Sequence, residues 1–256
     1  MSALAKLAPP ALFGAGVLAL WEALVRLLGV SPIILPAPTA IGWRLAHSVP
    51  TLAADFAQTM QGVLAGYALG CGAGLAAAIL VDRSPFARRG LLPIGNLVSA
   101  LPIVGVAPIM VMWFGFDWQS KAAVVVVMTF FPMLVNATAG LAGASAIERD
   151  LMQTYGAGYG DTLGKLRLPA ALPFVFNALK INATLAMIGG IVAEFFGTPT
   201  VGMGFRISTE VGHMSIDMVW ATIVVAALAG SLFYGLVALI ERRATFWHAS
   251  YRARET

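Results

Sequence analysis

Acid–base, nucleophilic and metal chemistry depend on histidine, cysteine and carboxylates, and in this chain those residues are few and scattered. His47, His213 and His248 stand far apart, and neither an H-E-x-x-H pair nor a G-x-S-x-G elbow is present. Cys71 is the only cysteine, so no disulfide can close within the chain. Gly156-Ala157-Gly158-Tyr159-Gly160-Asp161 is glycine-rich but is not G-x-G-x-x-G. Gly164-Lys165-Leu166 lacks both the Ser or Thr after Lys and the glycine five positions earlier. No phosphate-binding loop, metal site or acyl-transfer centre is expected. Four ionisable residues lie in or near long apolar runs instead: Glu22, Arg26, Lys180 and Glu194. Glu22 and Arg26 are four apart and can pair on one helix face. Lys180 can reach a carbonyl or an interfacial phosphate. Glu194 sits about one turn from a helix end, where a carboxylate either lines a pathway or accepts hydrogen bonds from a helix terminus.

These residues are embedded in a chain of 256 residues with 59% hydrophobic side chains, 11% charged and a mean hydropathy of +0.84. Soluble domains carry about 25% charged residues, so this chain cannot cover a globule with water-compatible side chains and is expected in a membrane. A soluble enzyme, a disordered chain and a secreted disulfide scaffold are excluded together. The net charge of +4 and pI near 9.5 come from sixteen Lys and Arg dispersed between apolar runs, so no nucleic-acid partner is expected.

Six runs are long enough to cross a bilayer core of about 30 Å: Pro10 to Leu28, Met60 to Val81, Leu91 to Phe114, Ala122 to Leu141, Leu172 to Phe196 and Val219 to Ile240. They are continuous rather than alternating, which predicts an all-α membrane protein with six transmembrane helices. One set of connecting segments holds Lys6, Arg83, Arg88, Arg89, Arg149, Lys165, Arg167, Arg242, Arg243, Arg252 and Arg254. The other holds Arg44, Lys121 and Arg206. This asymmetry places both termini in the cytoplasm. Trp113, Trp118 and Trp220 suit an outer aromatic belt and Trp247 an inner one. No linker separates two cores, so residues 1–256 are read as one domain. Ile41, Leu45 and Val49 recur at helical spacing after Pro38, predicting a short surface helix. Gly62, Gly66, Gly70 and Gly74 form a ladder that suits close helix packing, with its partner left open. Pro102 and Pro108 predict a bent or broken third span.

The segment from about 144 to 169 is long and polar for so compact a chain, which usually signals function. Within it, Asp150-Leu151-Met152-Gln153-Thr154-Tyr155-Gly156 is followed thirteen positions on by Pro169 in Leu168-Pro169-Ala170-Ala171-Leu172-Pro173. This resembles the E-A-A-x-x-x-G…L-P loop of permease subunits of ATP-binding-cassette importers, with Asp150 for the motif's Glu and Leu151-Met152 for its paired Ala. Leu35-Pro36-Ala37-Pro38, Leu101-Pro102, Ala107-Pro108, Trp113-Phe114-Gly115, Phe130-Phe131-Pro132, Ile191 to Gly197 and Glu241-Arg242 are similar to the subfamily for nitrate, sulfonate, taurine and pyrimidine or riboflavin precursors.

The resemblance implies a type I importer permease in the bacterial inner membrane, paired with itself or a second permease. It implies two cytoplasmic ATPases that hold ATP and magnesium, and a periplasmic or lipid-anchored binding protein. This chain would bind no cofactor and perform no hydrolysis. Asp150, Thr154, Tyr155, Gly156, Ala157 and Pro169 are then the residues that couple to the ATPase, in a short helix capped at Gly156 or Gly158. Asn136, Asn182, Met187 and Glu194 are candidate pathway residues. With Lys180 the only cation expected there, a neutral organic substrate is favoured over nitrate, sulfonate or taurine. A self-contained secondary transporter would need a midplane ion site and an inverted repeat, and an intramembrane enzyme a nucleophile–base or metal constellation; none is evident.

Overall fold

The computed structural model describes residues 3–197 and 200–246, with side chains from residue 8 onward. The side chain of Lys6 and residues Trp247, His248, Arg252 and Arg254 lie outside this description. Every regular element among the described residues is helical: α1 (Ala3–Leu27), α2 (Pro38–His47), α3 (Val49–Arg83), α4 (Pro85–Ser99), α5 (Ile103–Phe114), α6 (Trp118–Leu141), α7 (Ala146–Thr154), α8 (Tyr159–Thr162), α9 (Leu168–Phe196), α10 (Met203–Gly212) and α11 (Ile216–Ala244). A single π-turn, Leu163–Arg167, joins α8 to α9.

Five of these helices are long and apolar enough to cross a membrane. A sixth crossing exists only if α4 and α5, which meet at 103°, count as one broken span. The third expected run is thus not one helix. Pro102 caps α5 in an extended conformation, having no N–H to continue α4, whereas Pro108 is accommodated inside α5. The short helix expected after Pro38 is α2, with Pro38 itself in its first turn, but it ends at His47, so Val49 of the expected spacing opens α3 instead. Its N-cap, Ala37, has no acceptor side chain. Glu22 supplies one from α1, accepting from the Thr39 N–H at 3.0 Å and the Thr39 hydroxyl at 2.8 Å while paired to Arg26 at 2.5 Å. Trp220, half-buried, packs edge-to-face on Trp21 at 5.0 Å.

The glycine ladder explains how the core closes. A Cβ at Gly66 would lie 2.6 Å from the Ala122 carbonyl oxygen, and one at Gly74 would lie 2.5 Å from that of Phe130; Gly62 and Gly70 face Lys121 and Thr129. The seam therefore lies against α6 of the same chain, with backbones in near contact. α9 packs across both. Asn182 reaches from it to donate to the Thr129 carbonyl at 2.8 Å and to Cys71 Sγ at 3.2 Å. Lys180 pairs with Glu241 at 2.7 Å, tying α9 to α11.

Candidate functional site

α7 projects from the end of the bundle where α3 and α6 stop, and none of its residues is buried. Its start is a capping box. Ser145 Oγ accepts from the Glu148 N–H at 3.2 Å, and Glu148 accepts from the Ser145 N–H at 2.8 Å. The Ser145 backbone N–H, with the hydroxyl adding to it, holds the Glu148 carboxyl below the usual carboxylate range. Its end is a Schellman closure: Gly156 N–H donates to Gln153 O at 2.9 Å and Ala157 N–H to Met152 O at 3.0 Å, with Gly156 at φ +70°. A Cβ at Gly156 would meet nothing within 4 Å. Glycine is thus demanded by the left-handed backbone and not by crowding within this chain, and the terminator is Gly156 rather than Gly158. Thr154 donates to the Asp150 carbonyl at 2.9 Å, and Pro169 opens α9. Ile147, Leu151 and Tyr155, four apart, are 81%, 53% and 79% exposed. They form an apolar stripe on a helix that touches no core.

A residue that sequence reasoning passed over, Asp82, fixes this loop to the bundle. Asp82, at the end of α3, accepts from Arg167 Nη1 at 2.6 Å and from the Tyr159 hydroxyl at 3.0 Å, and Arg167 Nε donates to the Leu141 carbonyl at 3.1 Å. The available signal was an acidic residue alone among the basic residues of that segment.

At the opposite end, Glu194 is 2% exposed and enclosed by four elements. It accepts from the Gly204 N–H at 2.7 Å and from Thr59 at 2.9 Å, and lies 3.7 Å from Lys121 Nζ. Beside it, Asp55 accepts from the Gly202 N–H at 2.9 Å and from Arg206 Nε at 2.8 Å, while Thr59 accepts from the Met203 N–H at 2.9 Å. Three successive backbone N–H groups ahead of and opening α10 are therefore gripped by α3 and α9. Lys121, counted in the sequence as a loop cation, is fully buried. Lys121 and Arg206 face three carboxylates here, because Glu210 also lies 3.4 Å from Arg206 Nη1.

Among the other expected pathway residues, Asn182 is fully buried and Asn136 half-buried, donating to the Pro132 carbonyl at 2.8 Å. Met187 borders a groove of about 670 Å³ between α9 and α11, where Thr184, Ser231 and Tyr234 supply the polar atoms among aliphatic neighbours. The structure does not gather the four into one site. No group of three or more His, Cys, Asp or Glu suited to a metal occurs among the described residues.

The described helices form a multi-pass bundle with an exposed helix, capped at both ends, at one end of it. The chain belongs to the family of binding-protein-dependent transport system inner membrane components, which it matches over residues 66–246. It is thus an ATP-binding-cassette importer permease of the inner membrane, a class that works with an ATPase and a substrate-binding protein. It is 29% identical over 239 residues to the formylaminopyrimidine transport permease protein of Halalkalibacterium halodurans, covering 93% of this chain and 95% of that one. It is 29% identical over 238 residues to the riboflavin transport system permease protein of Chloroflexus aurantiacus (91% and 87%). It is 30% identical over 243 residues to the taurine transport system permease protein of Escherichia coli (90% and 86%).

Proposed function

We propose that this chain, acting as one permease domain, forms the translocation pathway for a small neutral organic molecule and is driven through α7 by a separate ATPase. The observation that carries this reading is the exposed Ile147, Leu151 and Tyr155 stripe on a helix capped at both ends. Apolar side chains four apart on an otherwise polar helix suit insertion into a partner's groove. Asp150, Thr154, Gly156, Ala157 and Pro169 shape and mount that helix. ATP and magnesium belong to the ATPase, two copies of which would serve a pair of permeases, with α7 and both termini on the cytoplasmic side. A neutral substrate is supported by the mutual pairing of Lys121, Glu194, Asp55 and Arg206, which leaves no spare cation there for an anion. The mostly apolar groove beside Met187, with Thr184, Ser231 and Tyr234 as its polar groups, and two relatives named for a formylaminopyrimidine and riboflavin point the same way; the taurine relative keeps a sulfonate as the alternative.

The test is detergent pull-down with the ATPase. Leu151→Asp, exposed and remote from the spans, should leave insertion intact and abolish co-purification. Retention of the ATPase at the parent level would refute docking through α7.

A further inference from the structure

We infer that Asp82 is a positioning residue, the node through which the α7 loop is fixed to α3 and α6 so that displacement of α7 moves those two helices together. This rests on the reading of α7 as the ATPase-docking helix. The loop's own backbone is soft: Gly156, Gly158 and Gly160 leave α7 in sequence, and a Cβ at any of them would meet open space. Gly156 and Gly158 let α7 tilt on the chain that follows, so how much of a push reaches the bundle depends on a cross-connection that fixes the segment just beyond them, from Tyr159 to Arg167.

The cross-connection is a single carboxylate oxygen. Asp82 Oδ2 receives the Tyr159 hydroxyl, which arrives just after Gly158, and the Arg167 guanidinium, which arrives at the foot of α9. Arg167 donates a second time, to the carbonyl of Leu141, the last residue of α6, so three helix ends meet at one ion pair. The Asp82 side chain is only 8% exposed and that of Arg167 17%, which limits competition from water. Around the pair, Leu163 and Leu168 pack on the core cluster containing Val81 and Leu141. The π-turn, closed by Leu168 N–H on Leu163 O, sets the direction in which Arg167 leaves the chain. Arg83 lies over the Tyr159 ring at 5.7 Å and holds it from the other side. Since α3 and α6 are joined along the glycine seam, whatever moves Asp82 and Leu141 moves both helices.

The experiment uses the assembled permease–ATPase complex in a Cys71→Ser background. A cysteine replacing Ile147 reports docking by cross-linking to the ATPase. A cysteine replacing Val49, exposed at the far end of α3, reports movement through its reaction rate with a soluble maleimide, with and without a non-hydrolysable ATP analogue and magnesium. The analogue should change the parent's rate. Asp82→Asn and Arg167→Met should keep the cross-link while shrinking that change by about fivefold or more, the lower end of measured couplings between linked sites. Arg167→Lys should recover much of it. Tyr159→Phe, which removes only the hydroxyl bonded to Asp82 and leaves the ion pair, should give an intermediate loss with the cross-link kept. No cross-link in the parent refutes docking through α7. A cross-link with no response at Val49 in the parent, or with a full response in both Asp82→Asn and Arg167→Met, overturns the role of Asp82. So does loss of cross-link and response together that Arg167→Lys does not reverse, since that would be a folding defect.

Discussion

Replacing Gly66 by alanine tests the α3–α6 seam with one methyl group. At this position the added carbon would sit 2.6 Å from both the Ala122 carbonyl oxygen and Val125 Cβ, whereas ordinary contact begins near 3.4 Å. The two helices must part locally by roughly 0.8 Å, the difference between those distances. Overpacking of this kind costs about 1–3 kcal/mol, against a gain of up to about 1 kcal/mol from removing a glycine inside a helix. Gly72 is the control, being in the same helix with nothing within 4 Å of its Cβ, so Gly72→Ala should show the gain alone. The two variants should therefore differ by about 1–3 kcal/mol in favour of Gly72→Ala, or several degrees in apparent Tm at about 2–4 °C per kcal/mol for a chain of this size. Gly70 and Gly74, which also face α6 closely, should behave like Gly66. Gly62 should cost less, because Lys121 Cβ at 2.8 Å and the Trp118 carbonyl oxygen at 3.3 Å both stand farther off than their counterparts at Gly66. Thermal denaturation in one detergent at one scan rate is the assay, since unfolding of such proteins is commonly irreversible. A Gly66→Ala chain that melts at or above Gly72→Ala would show the ladder to be loosely packed and refute the reasoning.

At Gly156 the φ of +70° can be held by asparagine far better than by a β-branched residue, so Gly156→Val should fray the end of α7 by about 1–2 kcal/mol while Gly156→Asn keeps it; amide hydrogen exchange at Tyr155 to Ala157 reads the difference. In the buried cluster, Lys121→Met removes the cation beside the Glu194 carboxylate and should destabilise by about 3–5 kcal/mol, whereas Lys121→Met with Glu194→Gln should recover a large part of that loss in a double-mutant cycle; additive losses would mean that the pair, 3.7 Å apart, does not interact.

What could be read from the sequence depended on how local the signal was. Long apolar runs, Pro38 at a helix start, and Gly156 after a polar helix are one-dimensional features, and each had its counterpart in the fold. The glycine ladder announced a close contact but could not name its partner, because spacing describes one surface and not the surface opposite. The break between α4 and α5 was marked by Pro102, yet its 103° angle depends on how both pieces pack on neighbours. α10 left no trace among the expected elements. Its start is secured by Asp55 and Thr59, far away in the chain, and by Glu194 ten residues before Gly204, through backbone N–H groups that carry no sequence identity. Lys121 misled for the same reason: a lysine at the edge of an apolar run counts as a loop cation until a carboxylate from α9 is seen beside it.

The placement of stiff and yielding parts bears on how a permease component can transmit movement without doing chemistry. α3 and α6 are joined by backbone contact along the glycine seam, a union that tolerates little sliding because each seam residue faces a carbonyl or a side-chain root. Asn182 and the Lys180–Glu241 pair add α9 and α11 to that body through polar contacts, which can be exchanged more readily than interlocked backbones. The points able to yield lie elsewhere, at the Ala100–Pro102 break, where no helical hydrogen bond crosses from α4 into α5, and at the glycines following α7. Rigid-body movement needs both kinds of element: a unit stiff enough to carry displacement for its whole length, and hinges that confine bending to a few residues. In this chain the stiff unit runs from the Asp82 end to the Glu194 end. On the reading proposed above, a displacement delivered at one end would reach the backbone grip on Gly202, Met203 and Gly204 at the other without requiring any side chain between them to change its partner.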